Sequence, residues 1–197
     1  YQMVDPPAKP VIGYMARMYP TFGLDILVDA FLKLKQLPDL QNAELWITGG
    51  YTADDSQFVD SIKQKIERAG YKNDVQFHEK FDKPHRIEFL KHLSVMSVPI
   101  KTGQAFGAFQ AEALAAGVPL VQPHVGGFPE IIELTGGGMI YEPNDAEHLA
   151  MALQTVLSQP ELLEKMRAEG NRATHEFFNI KSVVDRMLEL YKQIAPK

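Results

Sequence analysis

The stretch QAFGAFQAE, Gln104–Glu112, sets an amide and a carboxylate eight positions apart across a Phe-Gly-Ala turn. Residues that far apart rarely need each other for folding, and a shared ligand is one reason to hold both. Gly107, at the start of a helical pattern, lets a ligand come close to the backbone. The amides of Phe106, Gly107 and Ala108 fall in the first turn, where N–H groups lack helical partners and suit an anionic or hydroxyl-rich group. Glu112 lies more than one turn further on, where its carboxylate is able to accept hydrogen bonds from a diol such as a ribose. A capped helix with a solvent-facing Glu accounts for the same nine residues.

The elements that must position these groups are legible as an alternation. Short apolar runs, VIGYMA (11–16), AELWITGG (43–50), VQFH, VMSVP (95–99), PLVQ and GMIYEP, read as strands. Between them lie helical patterns: LDILVDAFLKLKQL (24–37), SQFVDSIKQKIERAG (56–70) with Ser56 as N-cap, HRIEFLKHL, GAFQAEALAAG (107–117), and FPEIIEL opening on Pro129. Beyond Asn144 the chain is helical almost throughout. Apolar strands alternating with helices predict an α/β fold: a doubly wound, Rossmann-like parallel sheet of about six strands, flanked by helices, with extra C-terminal helices. Ligands of such sheets bind beyond the carboxyl ends of the strands. That directs attention to the loops RMYPTFG, GGYTADD, EKFDKP, IKTGQAFG, PHVGG and EPNDAE. Trp46 is expected in the core. His124 and Gly136–Gly138 are expected in surface turns.

Composition narrows the function classes. The chain has 197 residues, 45% of them hydrophobic, and a net charge of −5. That supports a packed core and gives no overall basic face, so nucleic acid is not an expected partner. There is no cysteine, which fits a reducing cytosol. No apolar run approaches the ~18 residues of a membrane span. Six histidines show no ligand spacing, so no metal site is expected. The opening YQMVDPPAKP, with three prolines and no periodicity, reads as a linker (1–10) from a missing N-terminal lobe, leaving 11–197 as one domain.

From Glu112 the pattern runs on as EALAAGVPLVQPHVGGFPEII. This stretch resembles the signature of group 1, family 4 glycosyltransferases of the GT-B fold: Glu, seven residues, Glu, an Ala-rich helix, Gly-x-Pro, a strand and Gly-Gly-x-Pro-Glu. YMARMYPTFGLDILVDAF, ELWITGG and GGGMIYEPNDAEHLAMALQTVL match further segments, so the resemblance covers essentially the whole chain as the C-terminal, donor-binding lobe. It implies transfer of a sugar from a nucleotide-sugar to an acceptor with retention. It also implies no cofactor and no essential metal, with the acceptor bound mainly by the missing lobe. Cytoplasmic location is implied, at the membrane surface where that lobe carries it there. The last helix is expected to cross to the other lobe, which would leave SVVDRMLELYKQI over-hydrophobic here.

The resemblance also implies roles. Arg17 falls on the phosphate-binding Arg, Glu112 on the Glu that binds ribose, and Gln104 on the first Glu of the pair, beside the sugar. Phe106, Gly107 and Ala108 match helix-start amides that meet sugar and phosphate, and Gly126 and Gly127 the glycine pair beside the donor. Lys80 and Phe81 fall where the nucleobase pocket is expected. Two positions depart from the pattern. Phe22 stands where a phosphate-neutralising Lys is usual, and Lys101 is a candidate substitute. Gln104 keeps size and hydrogen bonding but loses the charge that would stabilise a developing oxocarbenium ion. These departures keep open a second function, a degenerate, non-catalytic subunit that binds a sugar nucleotide or another transferase. A GT-B epimerase is a third, without carboxylate and His partners to assign. The lobe alone is expected to bind nucleotide weakly and transfer little.

Overall fold

The computed structural model describes residues 1–103 and 106–194. Gln104 lies outside the described residues. Among them, six strands form one sheet: β1 (Val11–Met15), β2 (Glu44–Thr48), β3 (Val75–His78), β4 (Val95–Met96), β5 (Leu120–Pro123) and β6 (Gly138–Tyr141). Their order is β3-β2-β1-β4-β5-β6 and every pairing is parallel. The chain runs outward from β1 to β3 on one side, then returns to lay β4 on the other side of β1. Strand order therefore reverses between β1 and β4, the place on such a sheet where ligands bind beyond the strand ends.

Helices α1 (Leu24–Leu34), α2 (Ser56–Arg68) and α6 (Ala146–Leu157) cover one face. Helix α1 buries Leu24, Leu27, Val28, Phe31 and Leu34, spaced to form one stripe. On the other face lie α3 (Lys83–Lys91), α4 (Ala108–Ala115) and α5 (Phe128–Thr135), which bury Phe89, Leu90, Ala113, Leu114, Ile131 and Ile132 against β1, β4 and β5. Helix α7 (Pro160–Phe177) packs on α4 and α5. The first residues lie against this layer: the Arg167 side chain donates to the Val4 carbonyl, and Met3 covers Gly117.

Helix α8 (Ile180–Ile194) is different. It buries no residue, and Ile180, Val184, Met187, Leu188, Leu190, Tyr191 and Ile194 are all exposed. The over-hydrophobic face expected of the last helix is present. No described helix is long and apolar enough to cross a membrane.

Three local expectations are corrected. Ser56 is the first residue of α2 and not its cap; a tight turn over Ala53–Asp55 precedes it, where the Asp55 carboxylate accepts from the Thr52 backbone N–H and hydroxyl. Strand β4 ends at Met96 and does not reach Pro99. Past it, Ser97 N–H still donates to Gly13, but Val98 N–H donates to the buried Gln122 side chain, and proline offers no N–H to continue the ladder. Trp46 is half-buried: its ring packs at the edge of the core, 6.2 Å from the Phe89 ring of α3, and its remaining surface faces a cavity that both line. Its ring stands between His78 and His92, centroids 4.7 and 5.2 Å away, along a cavity of about 530 Å³.

Candidate functional site

The loop after β1 carries Arg17 to Gly23. Gly23 takes φ 72, and a Cβ there would collide with the Pro99 carbonyl oxygen, so the loops after β1 and β4 approach each other only because this residue is glycine. Lys101 N–H donates to Thr21 and its ammonium sits 2.7 Å from Asp25 on α1. The lysine offered as a substitute cation is thus engaged at the start of α1.

A cavity of about 290 Å³ opens beside this junction. Arg17, Phe22, Phe81, Ala108 and Glu112, all singled out in the sequence, line it together with Met15, Ala16, Phe109 and Arg86. Residues from 17 to 112 thus meet at the carboxyl ends of β1 and β4. The remaining candidates lie around it. Gly107 caps α4 with φ 68, and a Cβ there would press on the Phe109 ring at 2.8 Å. Phe106 is exposed and meets Phe178 edge-on at 5.4 Å. Gly126 and Gly127 stand at the start of α5, and the Gly126 Cα comes within 3.8 Å of where a Gly103 Cβ would lie. Lys80 lines the Trp46 cavity instead. His124 is exposed, 3.6 Å from Glu142.

Two arginines line the cavity, each paired with a different carboxylate. On the first wall Arg17 Nε and Nη2 donate to one oxygen of Asp55, at 3.2 and 2.7 Å, and Nη2 also reaches the Thr52 hydroxyl at 3.1 Å. The Asp55 side chain is only 4% exposed, whereas that of Arg17 is 49% exposed. The hydrogen bond from Arg17 holds the Asp55 carboxyl below its usual range, with Thr52 adding to it.

On the second wall Arg86 Nε and Nη2 grip the two oxygens of Glu112 at 2.9 and 3.1 Å, a bidentate fork. Its Nη1 donates to the Phe81 carbonyl at 2.9 Å, and the guanidinium lies over the Phe81 ring, 5.2 Å from its centroid. Burial, and then the Glu112 carboxylate, push the neighbouring Tyr1 phenol up to about 12. The sequence reading passed over Arg86. Its only signal was a lone Arg early in a short helix with almost no polar–apolar asymmetry, a place where a solvated residue is the ordinary expectation.

The walls differ in what they offer. A half-exposed guanidinium with its carboxylate buried behind it presents positive charge outward, suited to phosphate oxygens. A carboxylate held in place by a fork retains lone pairs for two hydroxyl donors. Phe22 and Phe81 add apolar surface between them.

A family model described as glycosyl transferases group 1 matches residues 3–173. Among curated proteins, the D-inositol 3-phosphate glycosyltransferase of Jonesia denitrificans is 27% identical over 188 residues, which is 95% of this chain and 44% of that protein. The chain thus spans less than half the length of that relative. Among solved structures, sucrose-phosphate synthase from Thermosynechococcus elongatus superposes with a TM-score of 0.81 at 25% identity, over 95% of this chain and 46% of the other. Anabaena HepE in complex with UDP superposes with a TM-score of 0.82 at 21% identity, over 94% and 49% respectively, a likeness of fold.

Proposed function

The chain belongs to the group 1 glycosyl transferases, and from that premise we propose that it is the donor-binding lobe of a retaining glycosyltransferase, moving a sugar from a nucleotide-sugar to an acceptor held mainly by a second lobe. The observation that carries this reading is the convergence of Arg17, Phe81, Ala108 and Glu112 on one cavity at the switch point of the sheet. Arg17 binds the diphosphate and neutralises charge as the nucleoside diphosphate leaves. Glu112 accepts from the ribose hydroxyls. The helix-start amides of Phe106, Gly107 and Ala108 and the glycines 126 and 127 face the sugar and phosphate. Gln104 holds the sugar ring. Phe81 borders the base, with Lys80 beyond it. Electrostatic stabilisation of the departing phosphate is the main catalytic contribution this lobe makes. The donor is the substrate, and no cofactor is required.

The complexes of the similar HepE with UDP and with UDP-glucose recommend uridine nucleotides as first probes. Calorimetric titration with a nucleoside diphosphate and its nucleoside tests the roles. Arg17→Ala should weaken the diphosphate by about tenfold to a hundredfold, the equivalent of one hydrogen bond to a charged group, and leave the nucleoside unchanged. Glu112→Ala should weaken both. Equal losses for both ligands in both variants refute the assignment.

A second reading rests on Phe22. It lines the cavity where the pattern calls for a cation, and Lys101 is engaged by Asp25. On that reading the protein binds a sugar nucleotide without transferring it. Turnover of donor by the protein together with its acceptor lobe decides between the two.

A further inference from the structure

Arg86 is the charged residue lining the cavity to which the donor-site roles give no task. Three observations fix what it does. Its Nε and Nη2 take both oxygens of Glu112. Its Nη1 takes the backbone carbonyl of Phe81, on the loop after β3, and its plane lies over that ring. Both partners in the ion pair are about three-quarters covered, 22% and 24% exposed.

A guanidinium so used has three of its five N–H groups committed within the protein, and at 22% it is less than half as exposed as Arg17 at 49%. It is therefore poorly placed to serve as the missing phosphate cation at Phe22. What it does achieve is mechanical. From α3 it ties α4 through Glu112, 26 residues on, and the loop between β3 and α3 through the Phe81 carbonyl. A carboxylate on an eight-residue helix, left to itself, samples several rotamers, each of which aims its lone pairs differently. The fork selects one.

We propose that Arg86 is a positioning residue for nucleoside recognition: it sets the rotamer of Glu112 for a vicinal diol and locks the Phe81 loop at the base. The ligand class is a ribonucleoside, with the diphosphate read separately by Arg17. This rests on the donor-site reading above, and its test separates the two.

The experiment is a binding cycle on the full chain with Arg86→Ala, Arg86→Lys, Glu112→Ala and the Arg86→Ala/Glu112→Ala double variant. The probes are UDP, uridine and inorganic pyrophosphate, with GDP/guanosine and ADP/adenosine run alongside so that the base is not presumed. Arg86→Ala should weaken the preferred nucleoside and its diphosphate by the same factor, about tenfold, and leave pyrophosphate unchanged. Arg86→Lys should recover little, because an ammonium cannot fork two oxygens. In the Glu112→Ala background, Arg86→Ala should cost the nucleoside about threefold at most, through the Phe81 loop alone. A gain in nucleoside affinity on Arg86→Ala would mean the arginine blocks Glu112, and would overturn the proposal. So would full additivity of the two substitutions, or a loss of pyrophosphate binding. Wild-type protein that binds diphosphates with unaltered nucleoside affinity in Arg86→Ala removes this role and leaves the donor site standing. Wild-type protein that binds none of the probes removes both.

Discussion

The two arginine walls of the cavity have the same chemistry and opposite polarity. At Arg17 the carboxylate is buried and the guanidinium stands half in solvent. At Arg86 both partners are equally covered, and three of the guanidinium's five N–H groups are committed within the protein. A buried Asp55 holds Arg17 while the guanidinium stays half-exposed, and on the proposed reading the cation is the working group. Glu112 is forked by Arg86, and on the proposed reading the carboxylate is the working group there and the arginine its support. An ion pair is thus no sign of function by itself; which member faces the cavity is.

The comparison can be broken most severely at Gly23. With φ 72 and the Pro99 carbonyl where a Cβ would sit, Gly23→Ala forces the loop after β1 away from the loop after β4. A loss of about 3–5 kcal/mol, at the upper end for single substitutions, is expected and is read by chemical denaturation. Near-native stability would mean the Arg17 wall does not depend on this approach.

Removing the support of one arginine is a milder cut. Asp55→Ala leaves Arg17 charged but unfixed, so nucleoside diphosphate affinity should fall by about tenfold, the loss of one charge-assisted bond's worth of orientation. Nucleoside affinity, which belongs to the other wall, should hold. Coupled losses in both would erase the distinction between the walls.

Adding charge sharpens the contrast from the other direction. Phe22→Lys places a second cation on the Arg17 wall and should tighten diphosphate binding by up to about tenfold, with uridine unaffected. The gain should shrink as salt rises from 0.01 to 0.15 M, since the Debye length shortens from about 30 to about 8 Å. No gain at any salt would mean position 22 does not reach the phosphates.

The smallest effect is in pH. The Asp55 carboxyl is held below its ordinary value, so its contribution to stability is complete above the unfolded value of about 3.9 and is lost as pH falls through the depressed folded value. The pair's contribution to melting temperature should therefore be full and independent of pH between pH 8 and 5, and Asp55→Asn should flatten the acid limb below pH 4. A wild-type acid limb unchanged in Asp55→Asn would show that Arg17 does not hold Asp55 in solution.

The α/β alternation and the parallel sheet are legible from local pattern, because a buried strand and an amphipathic helix each write their period into a few consecutive residues. The excess of apolar residues on α8 was legible for the same reason. Strand β4 was overread by three residues because VMSVP is uniformly apolar, and apolarity reports burial rather than pairing. Trp46 shows the same limit: its type predicts a covered ring, but the ring meets α3 at Phe89 and leaves the rest of its surface beside an open cavity. The resemblance marked Arg17 and Glu112. Nothing local marked Asp55 or Arg86, and Gln104 lies outside the described residues.

By itself the sequence determined which segments would be strands and helices, in what order, and which glycines and carboxylate would stand at the strand ends. Those features depend on neighbours within a turn or two. Only the tertiary structure decided that Arg17 would lean on Asp55, 38 residues away, and that Arg86 would fork Glu112, 26 residues away. Such pairs are set by where loops cross after the sheet reverses its strand order. Long charged side chains carry no periodicity that would announce a partner, because the energy that holds them comes from the approach of distant segments and not from the local backbone.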